Sequence, residues 1–225
     1  MTSSAILIPA RLDSIRFPNK MLADINGKPL IKHVYDICGQ TGLDTYVVTD
    51  SRKIASIIPN TILTDQASNG TERCALAIKD LDYKQFVNVQ GDMIDIRPDM
   101  IDKTIWHLKN YSLATLFCEL KDNEQSDVNV VKVIRAGDKA LWFSRFNQHY
   151  GYRHLGIYGY KRNALEMYHT LQVPQEEQIE KLEQLRWLKG GWDIGCLKTE
   201  FAGMEINTPE DLKSWQTWMT RQQPL

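Results

Sequence analysis

The stretch AILIPARLDSIRFPNKML, Ala5 to Leu22, runs from an unbroken apolar segment into a loop carrying Arg11, Arg16 and Lys20 together with Pro9 and Pro18. A short apolar run closed by proline reads as a strand buried on both faces. The pattern repeats outward from it. TYVVTD (Thr45 to Asp50), TILT (Thr61 to Thr64) and FVNVQGD (Phe86 to Asp92) read as further strands. Between them stand helical spacings: one behind Pro29, a short one in SRKIASII, one from Thr71 to Leu81 and one opening at Pro98. Strands alternating with helices require crossover connections, so the fold class is α/β, with a doubly wound, mostly parallel sheet. In such sheets ligands lie beyond the carboxyl ends of the strands, where the positive loop after the first strand falls.

The middle of the chain departs from this rhythm. LATLFCEL, NVVKVI, ALWFSR and HLGIYGYK follow one another with little helical spacing between them, which predicts mixed or antiparallel strands in a β-rich insertion over about 113–161. Helical spacing returns from Gln175 to Lys189, where Gly190-Gly191 stops it, and WDIGCLKTE reads as a last strand. Thr208-Pro209-Glu210-Asp211 supplies an N-cap threonine, a first-turn proline and an acid at the third helical position. No repeat or linker divides residues 1–225, so a single domain is expected.

Composition narrows the function. With 225 residues, 43% hydrophobic and 24% charged, the chain can bury a sizeable core, and its net charge of −1 offers no stripe for nucleic acid or a membrane surface. MTSSAILIPAR has no basic n-region, and no segment reaches the ~20 apolar residues of a membrane span, which makes a cytoplasmic protein the expectation. Cys38, Cys74, Cys118 and Cys196 are scattered without a CxxC pair, as reduced, mostly buried thiols would be.

Neither GxxxxGK[ST] nor GxGxxG follows the first strand, so the P-loop and dinucleotide fingerprints are absent. Arg11, Arg16 and Lys20 could instead hold a polyphosphate, with backbone N–H groups beside them. Asp92, just past a central strand, could hold a hard cation such as Mg²⁺, although an aspartate after glycine is also an ordinary turn residue. In MEINTPED, Glu205 and Asn207 point to one face if the segment is extended, giving two oxygen ligands beside the capped helix; the alternative is a helix cap alone.

The fragments IPARLDSIRFPNKMLADINGKPLIKHVYD, SNGTERCA, VNVQGD, VVKVI, WFSR, RHLGIYGY, LEQLR and NTPEDL occur in this order from about Ile6 to Leu212. Collinear over nearly the whole chain, they resemble the 3-deoxy-manno-octulosonate (Kdo) cytidylyltransferases, and RLDSIRFPNK looks more like that branch than the sialic acid branch. The resemblance implies a Rossmann-like nucleotidyltransferase fold, CTP and a sugar acid as partners, Mg²⁺ as cofactor, and a homodimer joined through the β-rich middle. It implies a CTP site at Pro9, Ala10, Arg11, Arg16, Lys20, Ser68, Gly70, Thr71, Arg73 and Gln90. It also implies a sugar site at Gln90, Arg145, His154, Tyr158 and Glu183, with Arg11, Lys20 and Asp92 catalytic. Asp92, Asn207 and Glu205 would be the metal ligands; Asn207 stands where the family usually has aspartate, and Glu205 is placed to compensate. RFNQHYGYRH is shorter than its family counterpart, and QGDMID lacks the acidic-proline sequence usual there. The expected reaction joins CTP to Kdo, giving CMP-Kdo and pyrophosphate. The alternatives are a variant sugar acid, such as 8-amino-Kdo or a sialic-type acid, and a non-catalytic nucleotide-binding relative.

Overall fold

A computed structural model describes residues 3–14, 16–146, 150–200 and 203–222. Strand β1 (Ser4–Pro9) leads through the cationic loop to a small hairpin, β2 (Asp24–Ile25) and β3 (Lys28–Pro29), and then to helix α1 (Leu30–Gly39). Next come β4 (Asp44–Thr49), α2 (Arg52–Ala55), β5 (Thr61–Leu63), α3 (Gly70–Ala77), β6 (Gln85–Val89) and α4 (Pro98–His107). The β-rich stretch comprises β7 (Leu113–Cys118), β8 (Lys132–Ala136), β9 (Lys139–Ser144) and β10 (Tyr152–Lys161). The chain ends with α5 (Arg162–Met167), α6 (Gln175–Glu180), α7 (Leu185–Lys189), β11 (Ile194–Lys198) and α8 (Pro209–Gln222).

β1 is buried along its whole length because it faces a core on each side. Ile6 and Ile8 join Leu30, Ile31 and Val34 of α1 and Met100 and Ile101 of α4, whereas Ala5 and Leu7 join Cys74 and Ala75 of α3 and Leu165 of α5. Period-two alternation thus feeds two helical layers from one strand, which is the three-layer α/β architecture the repeating pattern predicts. All four cysteines are buried free thiols, as expected.

The sheet order is β5-β4-β1-β6-β10-β7-β11-β9-β8. β5, β4, β1 and β6 are parallel, but β10 runs antiparallel to both β6 and β7. The mostly parallel expectation is therefore corrected to a mixed sheet, and the β-rich segment extends that sheet. The mixed or antiparallel strands expected in the middle are present, β10 pairing antiparallel with β7 and β8, and β8 with β9; the place of β10 between β6 and β7 was not legible, because an apolar run does not name its neighbours.

Two local features depart from the pattern reading. The β2–β3 hairpin turns on Asn26 and Gly27, both at positive φ (53° and 82°), and Asp24 Oδ1 accepts from the Gly27 N–H at 2.7 Å. Asn-Gly is the strongest short hairpin signal, and the apolar spacing around it masks it. The helix expected over Gln175–Lys189 is broken: Lys181 is left-handed (φ 56°), ending α6, and α7 starts only at Leu185. The break is held from outside, by Glu183 bonding to Thr71 of α3.

Candidate active site

β4 and β6 lie on opposite sides of β1, so the connections leaving β1 and β6 diverge and leave a crevice at their carboxyl ends. The crevice is the mouth of an open cleft of about 1390 Å³, lined from the loop after β1, the turn after β6, β10, the α6–α7 break and the segment before α8. Eight lysine or arginine side chains and five carboxylates line it, an excess of positive charge in a chain whose net charge is −1. Positive charge therefore acts locally here, as a polyanion site requires.

Of the ten residues expected at the nucleotide, all but Thr71 line the cleft: Pro9, Ala10, Arg11, Arg16, Lys20, Ser68, Gly70, Arg73 and Gln90. Arg11 is exposed and makes no hydrogen bond or ion pair among the described residues, leaving its guanidinium open to a ligand. Arg16 reaches across the cleft to Asn129 Oδ1 at 3.4 Å and Asn207 Oδ1 at 3.3 Å. Thr71, by contrast, is fully buried and sits behind the cleft, where its hydroxyl donates to Glu183 Oε1 at 2.8 Å. Arg73 is engaged with Asp50 Oδ2 at 2.8 Å and Thr64 Oγ1 at 3.2 Å, so its guanidinium braces the wall. Gly70 opens α3 against the Gln90 side chain: a methyl there would stand 3.2 Å from Gln90 Oε1 and 3.3 Å from Pro9 Cγ.

The acidic corner is built by the main chain. The Ile206 N–H donates to the Asp92 carbonyl at 2.9 Å, pinning the Glu205–Asn207 segment to the turn after β6. Asp211 Oδ2 accepts from the N–H groups of Asn207 and Thr208 at 2.9 and 2.8 Å, and Thr208 Oγ1 accepts from the Asp211 N–H at 3.2 Å, the expected capping box of α8. The Asn207 amide is a bridge: Oδ1 faces Lys20 Nζ (3.5 Å) and Arg16, while Nδ2 donates to Glu205 Oε2 at 3.3 Å. Lys20 Nζ lies 2.5 Å from Asp92 Oδ2. Glu205 is exposed to the cleft, yet crowding by protein atoms, and then the neighbouring Asp92, raises its pKa; the Asn207 amide, Arg153 and Lys20 offset part of this.

Two carboxylates and an amide oxygen form a hard oxygen donor set that fits Mg²⁺, which usually takes one or two carboxylates and completes its shell with water and substrate phosphates. Among the described residues no cluster of three or more His, Cys, Asp or Glu side chains is placed to hold a metal alone. A cation here would therefore depend on ligand oxygens as well.

On the far side, His154 Nε2 lies 2.9 Å from Thr115 Oγ1, whose hydroxyl is also 2.8 Å from the Ile157 carbonyl. A carbonyl can only accept, so Thr115 donates to it and receives the Nε2–H, leaving Nδ1 as the ring's acceptor. Burial, and secondarily Arg145, pushes the His154 pKa down to about 3, so the ring is neutral. Arg145 is aimed by its Nε–H donating to the Glu180 carbonyl at 3.0 Å and its Nη1 to the Val128 carbonyl at 3.2 Å. Tyr158 packs against His154 with ring centroids 5.4 Å apart. Glu183 has its pKa raised by burial, eased by the Thr71 hydroxyl and N–H. Three residues of the shortened segment RFNQHYGYRH, 147–149, lie outside the described residues.

Sequence reasoning missed Arg153, Asn129 and Lys181, all in the cleft wall. Arg153 had a signal, standing directly before His154, and it pairs with Glu124 at 2.6 Å. Asn129 lies in a loop with no pattern, and Lys181 enters only through the helix break.

Fold and cleft together define a class: an α/β protein that holds a polyanion and a polar second ligand at the switch point of its sheet. The chain belongs to the cytidylyltransferase family, whose model matches residues 5–194. It is 38% identical over 239 residues, covering 96% of this chain and 98% of the other, to the 8-amino-3,8-dideoxy-manno-octulosonate cytidylyltransferase of Shewanella pealeana. Identity to the 3-deoxy-manno-octulosonate cytidylyltransferase of Rickettsia rickettsii is 39% over 226 residues, 93% and 94% of the two chains. A solved CMP:2-keto-3-deoxy-manno-octonic acid synthetase complexed with CTP superposes with a TM-score of 0.92 at 31% identity, covering 99% of this chain and 100% of that one. The chain is thus an enzyme of the nucleotidyltransferase class.

Proposed function

We propose that this protein activates a 3-deoxy-2-ulosonic acid of the Kdo type with CTP and Mg²⁺, giving the CMP-sugar and pyrophosphate. One observation carries the reading: a free-armed cationic loop, an oxygen-rich corner and a neutral histidine–tyrosine–carboxylate wall share one cleft. The relatives act on Kdo or its 8-amino form, and both bear a carboxylate that suits Arg145.

The anomeric hydroxyl gives up its proton to solvent as it attacks the α-phosphorus, the new C–O–P bond forms as the α–β phosphoanhydride breaks, and the pyrophosphate leaves with the electron pair. Arg11 and Arg16 hold the triphosphate and oppose the charge growing on the leaving group. His154 Nδ1 and Glu183 accept from sugar hydroxyls, and Gln90, between the two halves, touches both. Asp92, Glu205 and Asn207 would hold Mg²⁺, which when bound would supply the Lewis acid that lowers the pKa of the attacking hydroxyl. A homodimer in the cytoplasm completes the reading; exposed Leu141 of β9, with Phe146 and Tyr150 between β9 and β10, supports the pairing.

A pyrophosphate-release assay crossing four nucleoside triphosphates with Kdo, 8-amino-Kdo and sialic acid tests this. The expected result is release from CTP with a Kdo-type acid, abolished by EDTA. Faster release from ATP, undiminished release in EDTA, or none with any of the three acids overturns the reading.

A further inference from the structure

The ammonium of Lys20 occupies the place where the proposed cation ligands converge. Its Nζ stands 2.5 Å from Asp92 Oδ2 and 3.5 Å from Asn207 Oδ1. The Lys20 and Asp92 side chains are only 10% and 17% exposed, so water screens their attraction little. The second contact reinforces the first: Arg16 Nη2 also donates to Asn207 Oδ1, at 3.3 Å, so the amide oxygen already faces two cations. A divalent cation entering this corner meets a like charge and must displace it.

The backbone of Lys20 has little freedom to withdraw. It begins a tight turn, Lys20–Leu22, behind the left-handed Asn19 (φ 56°), and the next residue, Met21, is buried in the core. Release must come from rotation of the flexible four-carbon stem. Asp92 is the carboxylate with which Lys20 pairs among the described residues. A triphosphate held by Arg11 and Arg16 would give the ammonium a second anionic partner and free the carboxylate.

We infer that Lys20 is a counter-ion gate on the cation site: it holds Asp92 until nucleotide phosphates draw it off, so the divalent cation and the triphosphate bind cooperatively, each weakly without the other. The inference rests on the reading of Asp92 and Asn207 as cation ligands. By linkage, whatever factor the nucleotide adds to cation affinity, the cation adds to nucleotide affinity.

Mn²⁺ binding to the nucleotide-free protein, followed by the loss of the free-ion paramagnetic resonance signal, tests it. Lys20→Gln and Lys20→Met are each expected to bind Mn²⁺ roughly tenfold more tightly than the parent, at the low end of usual coupling between sites. Lys20→Arg should stay at the parent's level, and adding Asp92→Asn to Lys20→Gln should remove the gain. A separate arm measures CTP affinity by calorimetry with and without Mn²⁺: enhancement is expected in the parent and not in Asp92→Asn. If both neutral variants bind Mn²⁺ no better than the parent while the calorimetric enhancement still depends on Asp92, the gate is refuted and the cation site stands. If Asp92→Asn alters neither arm, the cation-site reading falls and the gate falls with it.

Discussion

At the scale of single residues, Asn207 and His154 carry the sharpest consequences. An aspartate at 207 would set a carboxylate against Glu205 Oε2, now 3.3 Å from the Asn207 amide donor, and push Glu205 further toward protonation. The amide instead turns its oxygen to Lys20 and Arg16 and its nitrogen to Glu205, so the site keeps two carboxylates without opposing a third. Glu205→Gln is therefore expected to raise the Mg²⁺ needed for half-maximal rate by tenfold or more, about 1.4 kcal/mol per factor of ten, whereas Asn207→Asp brings little gain. Mg²⁺ titrations of initial rate check both, and the reverse ranking would return the catalytic carboxylate to position 207.

His154 links the sugar wall to stability. Its folded pKa is depressed to about 3 from the ordinary 6.5, so below pH 6.5 the unfolded chain takes up the proton more readily. Stability is thus unaffected above that value and falls as pH drops from 6.5 toward 3, by up to about 1.4 kcal/mol per pH unit. Denaturant melts between pH 7.5 and 5 should show a smaller loss for His154→Gln, which removes the titrating ring, than for the parent.

At the scale of elements, the cleft depends on close approach of α3 to the end of β6. Gly70→Ala places a methyl 3.2 Å from Gln90 Oε1 and 3.3 Å from Pro9 Cγ. Alanine at a helix start costs the fold little, but Gln90 must move, and it stands between the two substrate halves. The expected outcome is a several-fold lower kcat/KM with a thermal midpoint within about 2 °C of the parent, on the scale where ~1 kcal/mol moves a domain of this size by 2–4 °C. Steady-state kinetics beside a thermal scan separates this from a folding defect.

At the scale of the whole molecule, the exposed apolar side chains of β9 and the residues just after it make a further expectation. Leu141 and Phe146 are 49% and 57% exposed, and paired copies would bury them. Light scattering should give twice the chain mass for the parent and one chain mass for Leu141→Glu/Phe146→Glu; a monomeric parent would remove dimerisation from the proposed function.

Local rules sufficed wherever a signal was written within a few residues. The apolar run of β1, the capped start of α8 and the positive loop after β1 were legible because period, cap and charge need no distant partner. Collinear motifs carried the family as well, since they span the chain end to end. Other features depend on contacts across long sequence separations. The antiparallel entry of β10 between β6 and β7, the helix break at Lys181 beside the bond from the Thr71 hydroxyl to Glu183, the burial of Thr71 behind the cleft and the bracing of Arg73 on Asp50 follow from partners up to 112 residues apart. So does the ammonium of Lys20 on Asp92, 72 positions away, because a loop's charge is visible in sequence but the group it neutralises is chosen only when the sheet brings strand ends together.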